Sequence, residues 1–280
     1  MSPRVSVITV VRNAADTIAR TIESVLSQDY CNIEYVIIDG ASTDGTLQCI
    51  DRYRERIAIL VSEDDGGLYF GMQKGLHRST GDLVLFLNAD DAFADDQAIS
   101  RLVDARMSCD TQEPVLCFSN FIKFYPKIDR SFLVIATGDL RQGMDLCHQA
   151  MLADRRAYDR IGGFDTNFRL SADFDWVVRA KRGGVQFVKA SGPPTVIYKL
   201  GGISENLYRA SRAEAAKIIR REYGRGAFLR YVMTQRWRFC LRSGYELVQT
   251  IFGPDLPNAV RVAYLRVFRA HRVLNSIEDS

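Results

Sequence analysis

The first 90 residues switch between two spacings of apolar positions. Val5-Ser6-Val7-Ile8-Thr9-Val10-Val11 is a β-branched run of the kind that fills a strand covered on both faces. Ile18, Ile22, Val25 and Leu26 then recur at the spacing of one helix face. Tyr35-Val36-Ile37-Ile38-Asp39 repeats the strand pattern and breaks at Gly40. A helix at 45–55, a strand at 57–61, a helix at 68–79 and a strand at 83–87 complete the series. Such alternation with short connections predicts a mostly parallel sheet flanked by helices, with right-handed crossovers.

Farther along the pattern is less regular. Strand-like runs fall at 115–124, 131–136, 185–190 and 195–199, with short helices after Asp154 and at 173–182. From 205 the spacing is helical, and Pro254 and Pro257 separate a segment at 205–252 from a final helix at 258–275. The expected organisation is an α/β domain over 1–204, divided into halves at 1–95 and 96–204, with a helical extension over 205–280.

Charge divides at the same place. Residues 206–280 hold 14 Lys and Arg against 6 Asp and Glu, whereas residues 1–205 hold 23 against 28. An acidic body with a basic tail suggests two jobs. The tail interleaves Arg230, Arg236, Arg238 and Arg242 with Phe228, Leu229, Val232, Trp237, Phe239 and Leu241, and repeats the device with Arg261, Arg266, Arg269 and Arg272. Two readings stand side by side: basic amphipathic helices on an anionic membrane surface, or helices packed on the main body or on another subunit. No nucleic-acid recognition motif accompanies the charge. Six scattered cysteines form no C-x-x-C pair, and three dispersed histidines make no zinc cluster, so reduced cysteines are expected. The start of the chain has no signal-peptide pattern and no window is apolar enough to span a bilayer, so the expected location is the cytoplasm, with or without a peripheral contact on the inner face of the membrane.

In parallel α/β sheets ligands bind beyond the carboxyl ends of the strands. Here those ends carry Thr9 to Asn13, Asp39 to Asp44, Glu63 to Gly67 and Asn88 to Asp91, three of them acidic. Asp90 and Asp91 repel each other at a strand end, and a hard divalent cation such as Mg²⁺ or Mn²⁺ would offset that charge. The bland alternative is a helix start dressed with acids, since Asp95 and Asp96 follow.

The order of short motifs decides between them. Ile37-Ile38-Asp39-Gly40-Ala41-Ser42-Thr43-Asp44-Gly45-Thr46, Glu63-Asp64-Asp65-Gly66-Gly67-Leu68-Tyr69, Met72-Gln73-Lys74-Gly75, Thr80-Gly81-Asp82 and Leu87-Asn88-Ala89-Asp90-Asp91 follow in sequence. Downstream come His148-Gln149, Gly162-Gly163-Phe164-Asp165 and Ala172-Asp173-Phe174-Asp175-Trp176. Together these resemble family 2 glycosyltransferases of the bacterial exopolysaccharide and lipid-linked oligosaccharide type, over about residues 5–205.

The resemblance implies a GT-A-like fold and an inverting transfer of a sugar from a nucleoside-diphosphate sugar to a hydroxyl of a saccharide acceptor, lipid-linked in such pathways. It implies a donor site made by Thr9, Val11, Asn13, Asp39, Asp65, Lys74, Asn88, Ala89 and Asp90, with Asp91 as the Mn²⁺ or Mg²⁺ ligand and Asp173 as the general base. His148, Gln149 and Trp176 are candidates for the acceptor side, each with a plain structural reading beside it. For His148 the argument is a position just after a predicted strand, and for Trp176 an aromatic three residues from a carboxylate. Asp173 and Asp175, two apart, cannot share a helix face.

Asn88 stands where many relatives have Asp, Phe70-Gly71 where Asp-Ala is usual, and Gln73 where Asn is usual, changes that would bear on the sugar held. Gly201-Gly202-Ile203-Ser204 is either a loop that closes over the donor or a turn into the tail. Rival readings are a sugar-phosphate nucleotidyltransferase, whose glycine-rich first loop is missing, and an inactive transferase-like binding or assembly subunit, against which the retained acids argue. A dinucleotide oxidoreductase lacks its G-x-G-x-x-G. Homo-oligomerisation is left open.

Overall fold

A computed structural model describes residues 2–126, 129–141, 143–201, 207–252 and 273–274, with side chains through Arg236. The predicted opening series is present as β1 (Val5–Val11), α1 (Ile18–Leu26), β2 (Ile33–Asp39), α2 (Thr46–Asp51), β3 (Ile59–Ser62), α3 (Leu68–Arg78) and β4 (Leu83–Phe86). Next come β5 (Ala92–Phe93), α4 (Ala98–Met107), β6 (Val115–Phe118), β7 (Phe121–Tyr125) and β8 (Arg130–Val134). Then follow β9 (Met151–Asp154), α5 (Arg155–Ile161), α6 (Ala172–Arg182), β10 (Gln186–Lys189), β11 (Val196–Lys199), α7 (Tyr208–Phe252) and β12 (Val273–Leu274).

Seven strands make the large sheet in the order β10-β6-β9-β4-β1-β2-β3. The pairs of β1 with β2 and β4, of β2 with β3 and of β6 with β10 are parallel, and β9 lies antiparallel between β4 and β6. Side chains along β1 alternate between two apolar clusters, one holding Ile8 and Val10 and the other Val5, Val7 and Val11, so both faces are covered. Val11 pairs with Asp39 and Asp39 with Ser62, which brings the carboxyl ends of three strands to one edge.

A smaller sheet, β12-β8-β7-β11-β5, was not foreseen. The run expected as one strand at 115–124 is cut at Ser119-Asn120, where the Ser119 hydroxyl (2.7 Å) and the Thr195 amide (3.2 Å) both donate to the Asn120 carbonyl. The chain bends there, leaving β6 in the large sheet and sending β7 to the small one. Of helix α4 the sequence offered only a start near Asp95 and Asp96, although Ala98, Ile99, Leu102 and Val103 bury one face of it. Strand β9 was missed, since its four residues are all buried and carry no alternation.

The Thr80-Gly81-Asp82 motif lies at the amino end of the sheet, away from the strand ends that carry the acids. Buried Glu34 accepts there from the Ser6 hydroxyl (2.6 Å), the Thr80 amide (2.7 Å) and hydroxyl (2.8 Å), and the Gly81 amide (3.2 Å), while Asp82 accepts from the Arg4 amide (2.8 Å). A Cβ on Gly81 would lie 2.7 Å from the Arg4 carbonyl oxygen and 2.7 Å from the Ser6 nitrogen. Backbone cannot yield cheaply, so Gly81→Ala should cost about 1–3 kcal/mol in a urea titration.

Helix α7 breaks at Gly224, which sits at φ +80° where a side chain would be strained. Ala215, Ile218, Ile219, Ala227 and Tyr231 belong to the same apolar cluster as Ile8 and Met72. The part of the tail before Arg236 thus packs on the main body rather than standing apart from it. The final helix expected at 258–275 falls largely outside the described residues, and its described part, Val273–Leu274, is a strand antiparallel to β8. Residues 202–204 of the Gly-Gly-Ile-Ser loop also lie outside them.

Candidate active site

An open cleft of about 830 Å³ runs along the carboxyl edge of the large sheet, within the size range of ligand pockets. One wall comes from the strand ends: Val11 at the end of β1 and Asn13 beyond it, Asp44 after β2, Asp65 after β3, and Asn88, Ala89 and Asp90 after β4. The opposite wall comes from the 144–149 segment, the start of α6 with Asp173, and the first two turns of α7.

Asp65 is held by the backbone around it. Its Oδ1 accepts from the Gly67 amide at 2.9 Å. Gly40 and Gly71 make room, since a Cβ on either would lie 3.0 or 2.7 Å from the Asp65 Oδ2. Asn13, at φ +52°, orders the neighbouring turn, its Oδ1 accepting from the Thr43 amide at 2.8 Å.

The acid pair divides its labour in a way the sequence did not indicate. Asp91, 1% exposed, points inward, where the Lys199 amide (2.8 Å) donates to Oδ1 and the Gln149 side-chain amide (2.5 Å) to Oδ2. Burial and then the charge of Asp90 push its carboxyl well above the ordinary range. Asp90 is the carboxylate that lines the cleft, itself raised mainly by burial. The expected metal ligand, Asp91, is therefore spent on pinning β11 and Gln149.

Asp173 stands across the cleft. Tyr69 donates to its Oδ1 at 2.7 Å, and His148 Nδ1 lies 2.9 Å from its Oδ2. Burial alone would raise this carboxyl, yet the His148 contact, the Tyr69 hydroxyl and the Phe174 amide together hold it below its ordinary value. His148 Nε2 is 3.4 Å from Asn88 Oδ1, so one imidazole spans the two walls. His148 sits in a 3₁₀ turn that leads into β9, and not after a strand as expected. Tyr69 was visible in the motif, but nothing in sequence assigned it to Asp173.

Other expected residues lie elsewhere. Thr9 is fully buried, 3.2 Å from the Tyr35 hydroxyl. Asp39 is also fully buried and accepts from the Ser42 amide (3.0 Å) and the Ser62 hydroxyl (2.7 Å), which makes it a turn-former that shapes the wall without facing it. Lys74 pairs with Glu63 at 2.9 Å and does not line the cleft. Trp176, 1% exposed, stacks on Tyr158 at 4.2 Å and donates to the Gly162 carbonyl at 2.9 Å. The space that it shares with Asp173 is a void of about 10 Å³, too small for a sugar. Phe70 is solvent-exposed and Gln73 accepts from the Phe164 amide at 2.9 Å, so neither departure from the motif faces the cleft.

Among the described residues no three His, Cys, Asp or Glu side chains come together as a complete metal site. A cation that keeps its waters and takes substrate phosphates needs only one or two carboxylates from the protein. Asp90, a half-buried carboxylate facing the cleft with Asn88 beside it, fits that kind of ion.

The Glycosyl transferase family 2 model matches residues 6–109. An uncharacterized glycosyltransferase of Mycobacterium tuberculosis is 30% identical over 181 residues, covering 64% of this chain and 69% of the relative. The chain belongs to glycosyltransferase family 2. A putative teichuronic acid biosynthesis glycosyltransferase of Bacillus subtilis, TuaG, is 39% identical over 103 residues, or 36% of this chain and 41% of that one. Among solved structures, the mannosyltransferase PcManGT of Pyrobaculum calidifontis, in complex with GDP-Man and Mn²⁺, superposes with a TM-score of 0.63 at 19% identity, over 94% of this chain and 79% of that chain. The fold is thus the GT-A-like arrangement of this glycosyltransferase family, and the cleft lies where open α/β sheets hold their ligands. Among the described residues, no helix of this family 2 member is long and apolar enough to cross a membrane.

Proposed function

We propose that the protein is an inverting glycosyltransferase that moves a sugar from a nucleoside-diphosphate sugar to a hydroxyl of a saccharide acceptor used in a surface glycoconjugate. One observation carries the reading: Asp90 and Asp173 line one cleft, and His148 reaches from Asp173 to Asn88. The names of TuaG and of the GDP-Man complex support the substrate class.

In this reading Asn13, Asp44 and Asp65 hold the nucleoside, and Asp90 with Asn88 holds the Mn²⁺ or Mg²⁺ ion. When bound, that ion neutralises charge on the diphosphate leaving group. Asp173 takes the proton of the attacking hydroxyl. The hydroxyl oxygen forms the new bond to the anomeric carbon as the bond to the diphosphate oxygen breaks, and the electron pair leaves with the nucleoside diphosphate. Attack from the face opposite the leaving group inverts that carbon. Tyr69 and His148 orient the Asp173 carboxylate and occupy one lone pair on each oxygen, leaving another for the acceptor.

A lipid-linked acceptor at the inner face of the membrane suits the basic tail. On α7, Leu229 (58% exposed) and Met233 (70% exposed) share an exposed face with Arg225 and Arg236. The test of the donor reading is a thermal-shift panel of UDP-, GDP- and dTDP-sugars with and without Mn²⁺. At least one donor should raise the melting temperature only with the metal, and Asp90→Ala should abolish that rise. A donor response that survives Asp90→Ala unchanged would remove the ion from Asp90.

A further inference from the structure

With Lys74 tied to Glu63 outside the cleft, the cleft's cations come from elsewhere. Among the described residues Arg12, Lys123 and Arg212 line it. Arg12 is on the donor wall and lies 3.5 Å from Asp64. The other two are on the acceptor side. Lys123, from β7, has its ammonium 5.8 Å from the ring centroids of both Phe121 and Tyr198.

Arg212 projects from the second turn of α7. Its guanidinium carbon lies 5.0 Å from the centre of the Tyr208 ring, and the Tyr231 phenol is its other close partner. Gly143 borders it so closely that a Cβ there would be 3.5 Å from Nη1. The adjacent Ser211 carbonyl accepts from the Ser171 hydroxyl at 3.2 Å, which sets Arg212 beside the start of the helix that carries Asp173. Among the described residues no carboxylate comes within 4.0 Å of the Arg212 guanidinium. Asp145, the acid on the same wall, is held instead by the Thr137 amide at 2.8 Å.

A half-buried guanidinium set between two phenols, with no carboxylate among the described residues to pair it, is a receptor for an oxyanion. The surroundings define what the anion is attached to. Val134, Met144, Leu146, Leu170 and Ala215 line the same cleft, so apolar side chains share its lining with these cations. We infer that Arg212, with Lys123, forms a phosphate subsite for an acceptor in which a phosphate is joined to an apolar chain. This rests on the glycosyltransferase reading of the cleft and adds to it the group by which the acceptor is held. The donor's diphosphate offers the same chemistry from a different source. The contacts of Arg212 with Tyr208, Tyr231 and Gly143, all on the acceptor side, favour the acceptor.

The experiment is calorimetric titration of the full-length chain and of Arg212→Ala and Arg212→Lys with three probes. These are farnesyl phosphate below its micellar concentration, farnesol as its uncharged counterpart, and UDP or GDP with Mn²⁺. Farnesyl phosphate should bind the parent protein, lose about tenfold or more in affinity in Arg212→Ala and recover most of it in Arg212→Lys, as expected for a charge-assisted contact. Nucleotide affinity should be the same in all three proteins. Equal farnesyl phosphate affinity in the parent and Arg212→Ala, or equal binding of farnesol, overturns the subsite. Loss of nucleotide affinity in Arg212→Ala overturns its assignment to the acceptor and gives the cation to the donor. A parent protein that binds farnesyl phosphate through Arg212 but no nucleotide with Mn²⁺ would keep the subsite and defeat the donor reading.

Discussion

Asp173→Asn should leave binding of a nucleoside diphosphate with Mn²⁺ intact and lower kcat by about 10²–10⁴-fold, the usual contribution of a positioned base. Asparagine keeps the volume and can still accept from Tyr69, but it has no lone pair basic enough to take the acceptor proton. The measurement is sugar transfer under saturating donor, set against nucleotide binding by calorimetry. Full turnover in a folded Asp173→Asn protein would move the base elsewhere.

The environment of Asp173 also fixes the direction of its pH response. Its carboxyl is held below the ordinary aspartate value of 3.8 by His148, Tyr69 and the Phe174 amide, against the upward push of burial. The carboxylate is therefore ionised throughout the neutral range, the state that its proposed role as base requires. The midpoint of any loss of activity through this group should lie below pH 3.8, and Tyr69→Phe should move that acid limb upward. The stability linked to Asp173 follows the same sign: it is present above the unfolded pKa and lost as pH falls through the lower folded one. A kcat/KM profile of parent and Tyr69→Phe checks both.

The second large effect is expected at Arg179. Asp175 is fully buried on α6, and its carboxylate is shared by Arg179 at 2.7 Å from the same helix and by Arg221 from α7. Arg179 also donates to the carbonyls of Ile161 (2.8 Å) and Gly163 (2.8 Å), fastening the Gly-Gly-Phe-Asp turn. Arg179→Ala leaves a buried charge half-compensated and two carbonyls without this donor, at a cost of about 3–5 kcal/mol. Urea unfolding should show it as a lower midpoint with an unchanged slope. A change within about 0.5 kcal/mol, the range of ordinary surface substitutions, would mean that Arg221 alone satisfies Asp175.

How legible this was in the sequence depended on whether a residue's role was local. The parallel strands and their helices could be read because β-branched runs and helical spacing are properties of single segments. The turn at Ser119-Asn120 could not, since it is made by Thr195, 76 residues away from Ser119 in the chain. Asp173 and Asp175 were separable from spacing alone, and the structure gives them different partners. Asp90 and Asp91 were not, because which of two adjacent acids turns inward is decided by the Lys199 amide and Gln149. Lys74 illustrates the same limit: its motif pointed toward phosphate, but its ammonium pairs with Glu63. Arg212 carries no local signal at all, being brought to the cleft by the packing of α7.

The inward acid has a consequence for how such enzymes can vary. Asp91 closes the seam where the large sheet hands the chain to the small one, because β5 begins at the next residue and its partner strand β11 supplies the Lys199 amide. Remodelling of β7 and β8 to suit a new acceptor can leave the cleft-facing Asp90 in place only while that rivet holds. Grafts between relatives should therefore succeed when β11 travels with its own aspartate, and fail when the two come from different parents.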